Sequence, residues 1–231
     1  MKQTYHFFKT YKNQLFVGLL LILIIAFMAI FIDVLTDLQE DELRQFDHRA
    51  IAYMQGHVTD NLTGIMKAIT FFGGKVWIIS AVLIASLLVG FKKKRYALFL
   101  LFASGLGSLF NIALKEFIQR QRPDIYPIIQ ESGYSFPSGH SMGSIIFYGS
   151  LVIILAKISR RKWLDAVFIL FFIVLVPAIG ISRIYLGVHY PSDIIGGFSA
   201  GAFWLLICWL IFHFYESWFD KRADKQNIHK S

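Results

Sequence analysis

The stretch LFVGLLLILIIAFMAIFIDVL, Leu15 to Leu35, carries a single charged residue, Asp33, in 21 positions. At 1.5 Å per residue such a helix spans about 30 Å, the thickness of a bilayer's hydrocarbon core. It is too long for the apolar region of a signal peptide and has no small-residue cleavage site after it, so it reads as a retained membrane span. Working outward, further apolar runs occur at approximately 76–91, 96–115, 140–157, 163–181 and 194–215. The run from Val76 to Phe91 is the shortest and needs either a turn borrowed from Phe71–Lys75 or a locally thinner bilayer. The pattern predicts an all-α polytopic membrane protein: a six-transmembrane-helix bundle with short interfacial helices, forming a single domain over 1–231.

Composition agrees with that reading. Of 231 residues, 56% are hydrophobic and 16% charged, with mean hydropathy +0.56, whereas soluble domains have roughly 25% charged residues. The lone Cys208 excludes an internal disulfide framework and lies in an apolar run as a small hydrophobe. A net charge of +8 raises the question of nucleic acid, but the cations sit beside spans. Lys2, Lys9 and Lys12, then Lys92–Arg95, then Lys157 with Arg160–Lys162, then Lys221, Arg222, Lys225 and Lys230 fall on one side, fifteen against eight on the other. By the positive-inside rule both termini are cytoplasmic, and the partner implied is a lipid bilayer, not a nucleic acid. Oligomeric state leaves no mark in the sequence.

Three segments then face outward: 36–75, 116–139 and 182–193. In the first, Leu38, Leu43, Phe46, Ala50 and Met54, followed by Leu62, Ile65, Met66 and Ile69, approach helical spacing and run into the breaker Gly73-Gly74. This predicts amphipathic helices lying over the bundle.

The two shorter segments gather polar residues at span ends. Lys115 closes the third span and Arg122-Pro123 follows; Pro137-Ser138-Gly139-His140 opens the fourth; Ser182-Arg183 ends the fifth; His189 and Asp193 open the sixth. Ionisable groups at membrane depth cost about 2.5–3.5 kcal/mol each on insertion scales, so six at one face point to function. Lys115, Arg122 and Arg183 suit a compact, multiply charged anion, and the arginine forks match phosphate. The Pro-Ser-Gly-His turn adds the free N–H groups of a helix start, and Gly139 permits close approach. His189, four residues before Asp193 and separated from it by Pro191, is the candidate nucleophile: a helix beginning at about Pro191 lets the carboxylate orient the ring. His140, beside the phosphate turn, is the candidate general acid and base. Asn111, one turn before Lys115, either lines the pocket or bonds between helices. Gly197-x3-Gly201 and Ala103-x3-Gly107 predict close helix packing, with oligomerisation the lesser alternative. Tyr134, Phe136, Tyr185 and Tyr190 read as an outer aromatic belt. His6, His48, His57, His213 and His229 lack a comparable setting and read as surface or interfacial positions.

Lys115-x6-Arg122-Pro123, Pro137-Ser138-Gly139-His140 and Ser182-Arg183-x5-His189-x3-Asp193 together resemble the three-part signature of the type 2 phosphatidic acid phosphatase superfamily. The resemblance covers about a third of the chain. It implies a hydrolase without metal or cofactor that passes through a phosphohistidine on His189, with Asp193 orienting it, His140 as acid, and Lys115, Arg122, Ser138, Gly139 and Arg183 holding the phosphate. Its substrate would be a membrane lipid. Within that family the compact chain is similar to the Gram-positive phosphatidylglycerophosphate phosphatases, a subgroup that also takes in undecaprenyl diphosphate phosphatases. The rival readings are a transporter, a metal site built from His140, His189 and Asp193, and an inactive scaffold. Charges clustered at one face, not the midplane, oppose the first, and three adjacent cations oppose the second.

Overall fold

The computed structural model describes residues 2–124, 127–159 and 161–228. Arg160, His229 and Lys230, used in the reading above, lie outside the described residues. Among those described, eight helices and no strand are found: α1 (Lys2–Asp37), α2 (Asp41–Gln55), α3 (Asp60–Phe71), α4 (Lys75–Gly90), α5 (Lys94–Ile118), α6 (Gly139–Ile158), α7 (Lys162–Tyr185) and α8 (Pro191–Ile228).

Five of these helices, α1, α5, α6, α7 and α8, are long and apolar enough to cross a membrane alone. The run expected as the second span, now α4, has 16 residues, about 24 Å of helix, which falls short of a 30 Å core. With α3 it meets the same test only as a pair bent by 42°, the shape of a broken span or a re-entrant loop. The break falls at Gly73-Gly74, where a Cβ on Gly73 would lie 2.5 Å from Ile179 Cγ2.

Helix α6 is the hub, packed against α4, α5, α7 and α8, whereas α1 packs chiefly on α8. Accordingly α6 buries Met142, Ile146, Phe147, Ile153 and Ile154, while α1 leaves Leu15, Leu19, Leu21, Ile22 and Ile25 exposed. Outward leucines, isoleucines and phenylalanines on α4, α5 and α7 complete an apolar perimeter, as a lipid-facing surface requires.

The close packing predicted for the small-residue pairs lies inside the chain. A Cβ on Gly197 would sit 2.8 Å from Ser138 O, and one on Gly201 would sit 2.9 Å from Met142 O, so α6 and α8 approach backbone to backbone. Gly107 faces Trp204, whose indole N–H donates to Ala103 O at 2.9 Å.

Segment 36–75 forms the two helices expected of it, with one correction. The face of α2 turned inward centres on Asp47 and Ile51, both buried, and Phe46 points away. The aromatic belt is corrected too. Phe136 and Tyr185 are fully buried, because Phe136 stacks on Phe31 at 5.7 Å and the Tyr185 hydroxyl joins Thr63 Oγ1 at 2.9 Å. His48 and His57 are exposed, in line with the surface reading.

Candidate active site

The antiparallel course of α5 to α8 brings two helix C-termini, those of α5 and α7, and two N-termini, those of α6 and α8, to one end of the bundle. Lys115 and Arg183 ride the last turns of α5 and α7; His140 opens α6; His189 and Asp193 flank the start of α8 at Pro191. Every residue expected at the site therefore meets at this end. Arg183, His189, Arg122 and Lys115 all lie within electrostatic reach of His140.

His189 is the most constrained of them. Its ring is buried and Nδ1 lies 3.2 Å from Asp193 Oδ2, while Arg122 Nη1 approaches Nε2 at 3.3 Å. A guanidinium can only donate and a carboxylate can only accept, so the network assigns the proton to Nδ1 and a lone pair to Nε2. Burial, outweighing the help of Asp193 and joined by Arg122 and Arg183, lowers the His189 pKa to about 4. The ring is thus neutral near neutral pH, with its nucleophilic nitrogen set.

Asp193 is saturated. Oδ2 also accepts from Ser135 Oγ and, at 2.9 Å, from Tyr190 N–H, and Oδ1 accepts from Arg120 Nη1 at 2.6 Å. The bond to Tyr190 N–H makes it a cap of α8 as well, so orientation of the histidine and capping are joint duties of one carboxylate.

Lys115 and Arg122 are placed by backbone carbonyls and Arg183 by side chains. Lys115 Nζ donates to Tyr134 O and, at 3.2 Å, to Ser135 O. Arg122 donates through Nε to Gly133 O at 2.9 Å and through Nη1 to Val188 O at 2.9 Å. Burial lowers the Arg122 pKa, Glu131 and Asp193 opposing. Arg183, 1% exposed, donates to Thr70 Oγ1 at 2.9 Å and to Glu131 Oε1 at 2.6 Å, and its Nε is buried with no hydrogen-bond partner among the described residues.

The Ser138 hydroxyl is the N-cap of α6, accepting from Ser141 N–H at 3.3 Å. The capping serine leaves the first N–H groups of the helix, on Gly139 and His140, for an anion. Gly139 packs against Asn111, whose Oδ1 would be 3.1 Å from a Cβ there; Asn111 Nδ2 donates to Pro137 O at 3.3 Å in the turn before α6 and to Met142 Sδ at 3.4 Å on α6. The His140 ring lies beside the α3–α4 break, its Cδ2 3.3 Å from where a Gly73 Cβ would stand, and makes no hydrogen bond to any described residue.

Four residues of the site escaped the sequence reading. Arg120 bridges Asp193 and Asp47, Asp47 accepts from Ser192 N–H at 3.0 Å, Ser135 binds Asp193, and Glu131 joins Arg183 to Arg122, the latter at 3.8 Å. Arg120 lies two residues from Arg122 and invited attention by that proximity alone; the others had no local signal. The Arg183 and Arg122 charges, outweighing burial, hold the Glu131 carboxyl below its usual range. Glu131 is thus an anion seated between two arginines of the expected phosphate site. Among the described residues, no group of three His, Cys, Asp or Glu side chains is arranged to hold a metal ion.

The PAP2 superfamily model matches residues 96–216, just over half of the chain and all of the residues from Lys115 to Asp193. Phosphatidylglycerophosphatase B of Bacillus subtilis (strain 168) is 38% identical over 160 residues, 67% of this chain and 76% of that protein. The undecaprenyl-diphosphatase of Sulfolobus acidocaldarius is 34% identical over 34% of this chain and 31% of its own. The crystal structure of the transmembrane PAP2 type phosphatidylglycerolphosphate phosphatase from Bacillus subtilis superposes with a TM-score of 0.77 at 30% identity, covering 84% of this chain and 96% of that one. With the spans, the histidine pair and these matches in agreement, the chain is a multi-pass membrane phosphatase and belongs to the PAP2 superfamily.

Proposed function

We propose that the chain, as one domain over 1–231, hydrolyses the terminal phosphate of phosphatidylglycerophosphate through a phosphohistidine on His189. The observation that carries this is the doubly fixed imidazole: Nδ1 tied to Asp193, and Nε2, which keeps the lone pair, held opposite Arg122 Nη1. The choice of lipid follows the relative with 38% identity and its name.

In the proposed cycle the lipid enters from the bilayer with its phosphate among Lys115, Arg122, Arg183 and the N–H groups at Gly139 and His140. The His189 Nε2 lone pair attacks phosphorus in line; a P–N bond forms as the bond to the leaving oxygen breaks. His140 gives that oxygen a proton, and phosphatidylglycerol departs. Water then attacks the phosphohistidine, His140 takes its proton, the P–N bond breaks and inorganic phosphate leaves. Charge builds on three equatorial oxygens, so preorganised cations and N–H donors supply most of the acceleration. No step calls on a metal or cofactor.

The one-sided distribution of Lys and Arg supports cytoplasmic termini and a site on the extracytoplasmic side of a cell membrane. A second reading, undecaprenyl diphosphate as substrate, is favoured by the undecaprenyl-diphosphatase among the relatives and needs the same steps with a lipid monophosphate as leaving group.

The test is phosphate release by purified protein, with chelator present, from phosphatidylglycerophosphate and undecaprenyl diphosphate side by side. Release that disappears in His189→Ala is expected, faster from the first lipid. Faster release from the second would replace the substrate, and loss of turnover with chelator would overturn the metal-free mechanism.

A further inference from the structure

Asp47 belongs to the interfacial helix α2, far in sequence from every catalytic position, yet it is completely buried. A buried carboxylate persists only if paired and hydrogen-bonded. Here Arg120 Nη2 donates to Oδ2 at 2.7 Å, Ser192 N–H donates to Oδ1 at 3.0 Å, and the Ser192 hydroxyl donates to Oδ2. Arg120 is itself shared: Nη1 donates to Asp193 Oδ1 at 2.6 Å, and the guanidinium lies over the Tyr190 ring at 4.3 Å from its centroid. One cation thus links two buried carboxylates, and the second of them is the acid that holds His189.

The alternative geometry shows what this link does. An arginine fork facing a single carboxylate prefers two parallel bonds. If Arg120 turned both nitrogens to Asp193, Oδ2 would be drawn from His189 Nδ1. Asp47 occupies Nη2, so that Arg120 meets Asp193 through Nη1 alone, and Oδ2 is left to the histidine.

We infer that Asp47 and Arg120 are positioning residues for the phosphatase reaction: α2 reaches over the bundle and, through Asp47–Arg120–Asp193, fixes the orientation of the His189 nucleophile. This rests on the reading of His189 as the phosphorylated residue. The link touches neither the phosphate cations Lys115 and Arg183 nor the apolar faces open to lipid tails. Its loss should slow the chemical step and leave lipid binding intact.

The experiment is rapid-quench phosphorylation and steady-state turnover of the full chain in detergent, with phosphatidylglycerophosphate labelled on its terminal phosphate. Asp47→Asn is expected to lower the phosphorylation rate constant and kcat on the order of 10- to 100-fold, as misplacement by about 1 Å does. KM should stay within about twofold and, with enzyme in excess over lipid, the amplitude of the single turnover per folded chain should be unchanged, because only the geometry of attack is altered. Asp47→Glu should recover most of the rate. Arg120→Lys, a point charge that cannot bridge two carboxylates, should match Asp47→Asn, and the double variant should be no slower than either single. If Asp47→Asn does not fold, Arg120→Lys and Asp47→Glu carry the test. An unchanged rate constant, or a lower amplitude at constant rate constant, would show a purely structural role and overturn the inference. Absence of labelled phosphoenzyme in the wild type would overturn the reading of His189 instead.

Discussion

The two histidines stand at the same end of the bundle in opposite kinds of surroundings. His189 is gripped at both ring nitrogens by Asp193 and Arg122, and behind Asp193 stand Arg120, Ser135 and the Tyr190 N–H. His140 has Gly73 and Gly74 beside it, and no hydrogen bond to a described residue. The contrast separates two tasks. A nucleophile must present one lone pair along one line, so its tautomer and orientation are fixed in advance. A group that gives a proton in one half-reaction and takes one in the other gains from a ring with both nitrogens uncommitted.

That contrast can be broken by substitution. His189→Ala should leave a folded protein with no detectable turnover and no labelled phosphoenzyme; substantial activity would hand the nucleophilic role to another group. Asp193→Asn should come next, at about 10⁴-fold in kcat, the loss that a mis-set tautomer produces. A neutral result would reduce Asp193 to the helix cap it also is. His140→Ala should lose about 10²–10⁴-fold with a natural lipid. It should still form phosphoenzyme from an activated aryl phosphate, whose leaving group needs no proton; failure with that substrate would mean that His140 does more than transfer protons.

A pH profile sharpens the same point. Because the free enzyme holds the His189 pKa near 4, the acid limb of kcat/KM should lie well below the ordinary histidine value of about 6.5. The sign for stability follows: the unfolded chain takes up this proton as pH falls through 6.5 and the folded one does not until about 4. The His189 contribution is therefore intact above pH 6.5 and is lost progressively between 6.5 and 4. An acid limb at 6.5 would mean an imidazole far better solvated than the buried ring described. The smallest effect is expected from Gly73→Ala, whose Cβ meets Ile179 Cγ2 at 2.5 Å. Overpacking there should cost about 1–3 kcal/mol in thermal unfolding. Displacement of His140 should lower kcat severalfold, and phosphorylation by the aryl phosphate should be spared.

What the sequence disclosed, and what it hid, divides along the same line. Span lengths, the start of α8 at Pro191 and the His189–Asp193 pairing are local, written within a few residues by periodicity, a proline and an i,i+4 spacing. The length of the second span depended on how α3 meets α4 across Gly73-Gly74, a matter of tertiary bending. Asp47 was invisible for another reason. It lies 73 positions from Arg120, and on a helix whose apolar residues include Leu43, Ala50 and Met54 a carboxylate is assigned to the wet face until its partner is known. Phe46 was placed inward for want of that information. Phe136 and Tyr185 were misassigned because aromatic residues near a membrane boundary look the same in sequence whether they face lipid or the core.

The glycine seam between α6 and α8 has a meaning for distance as well as for packing. Ser138 O and the Ser141 Cβ lie 2.8 and 2.9 Å from where a Gly197 side chain would begin, so hydrogen on that carbon sets how near the two helix starts can come. One start carries His140 and the other follows His189, and any larger residue at 197 is a shim driven between them. A graded series at this position, Ala then Ser then Val, offers a ruler for the gap between nucleophile and proton donor, adjusted from a site that touches neither.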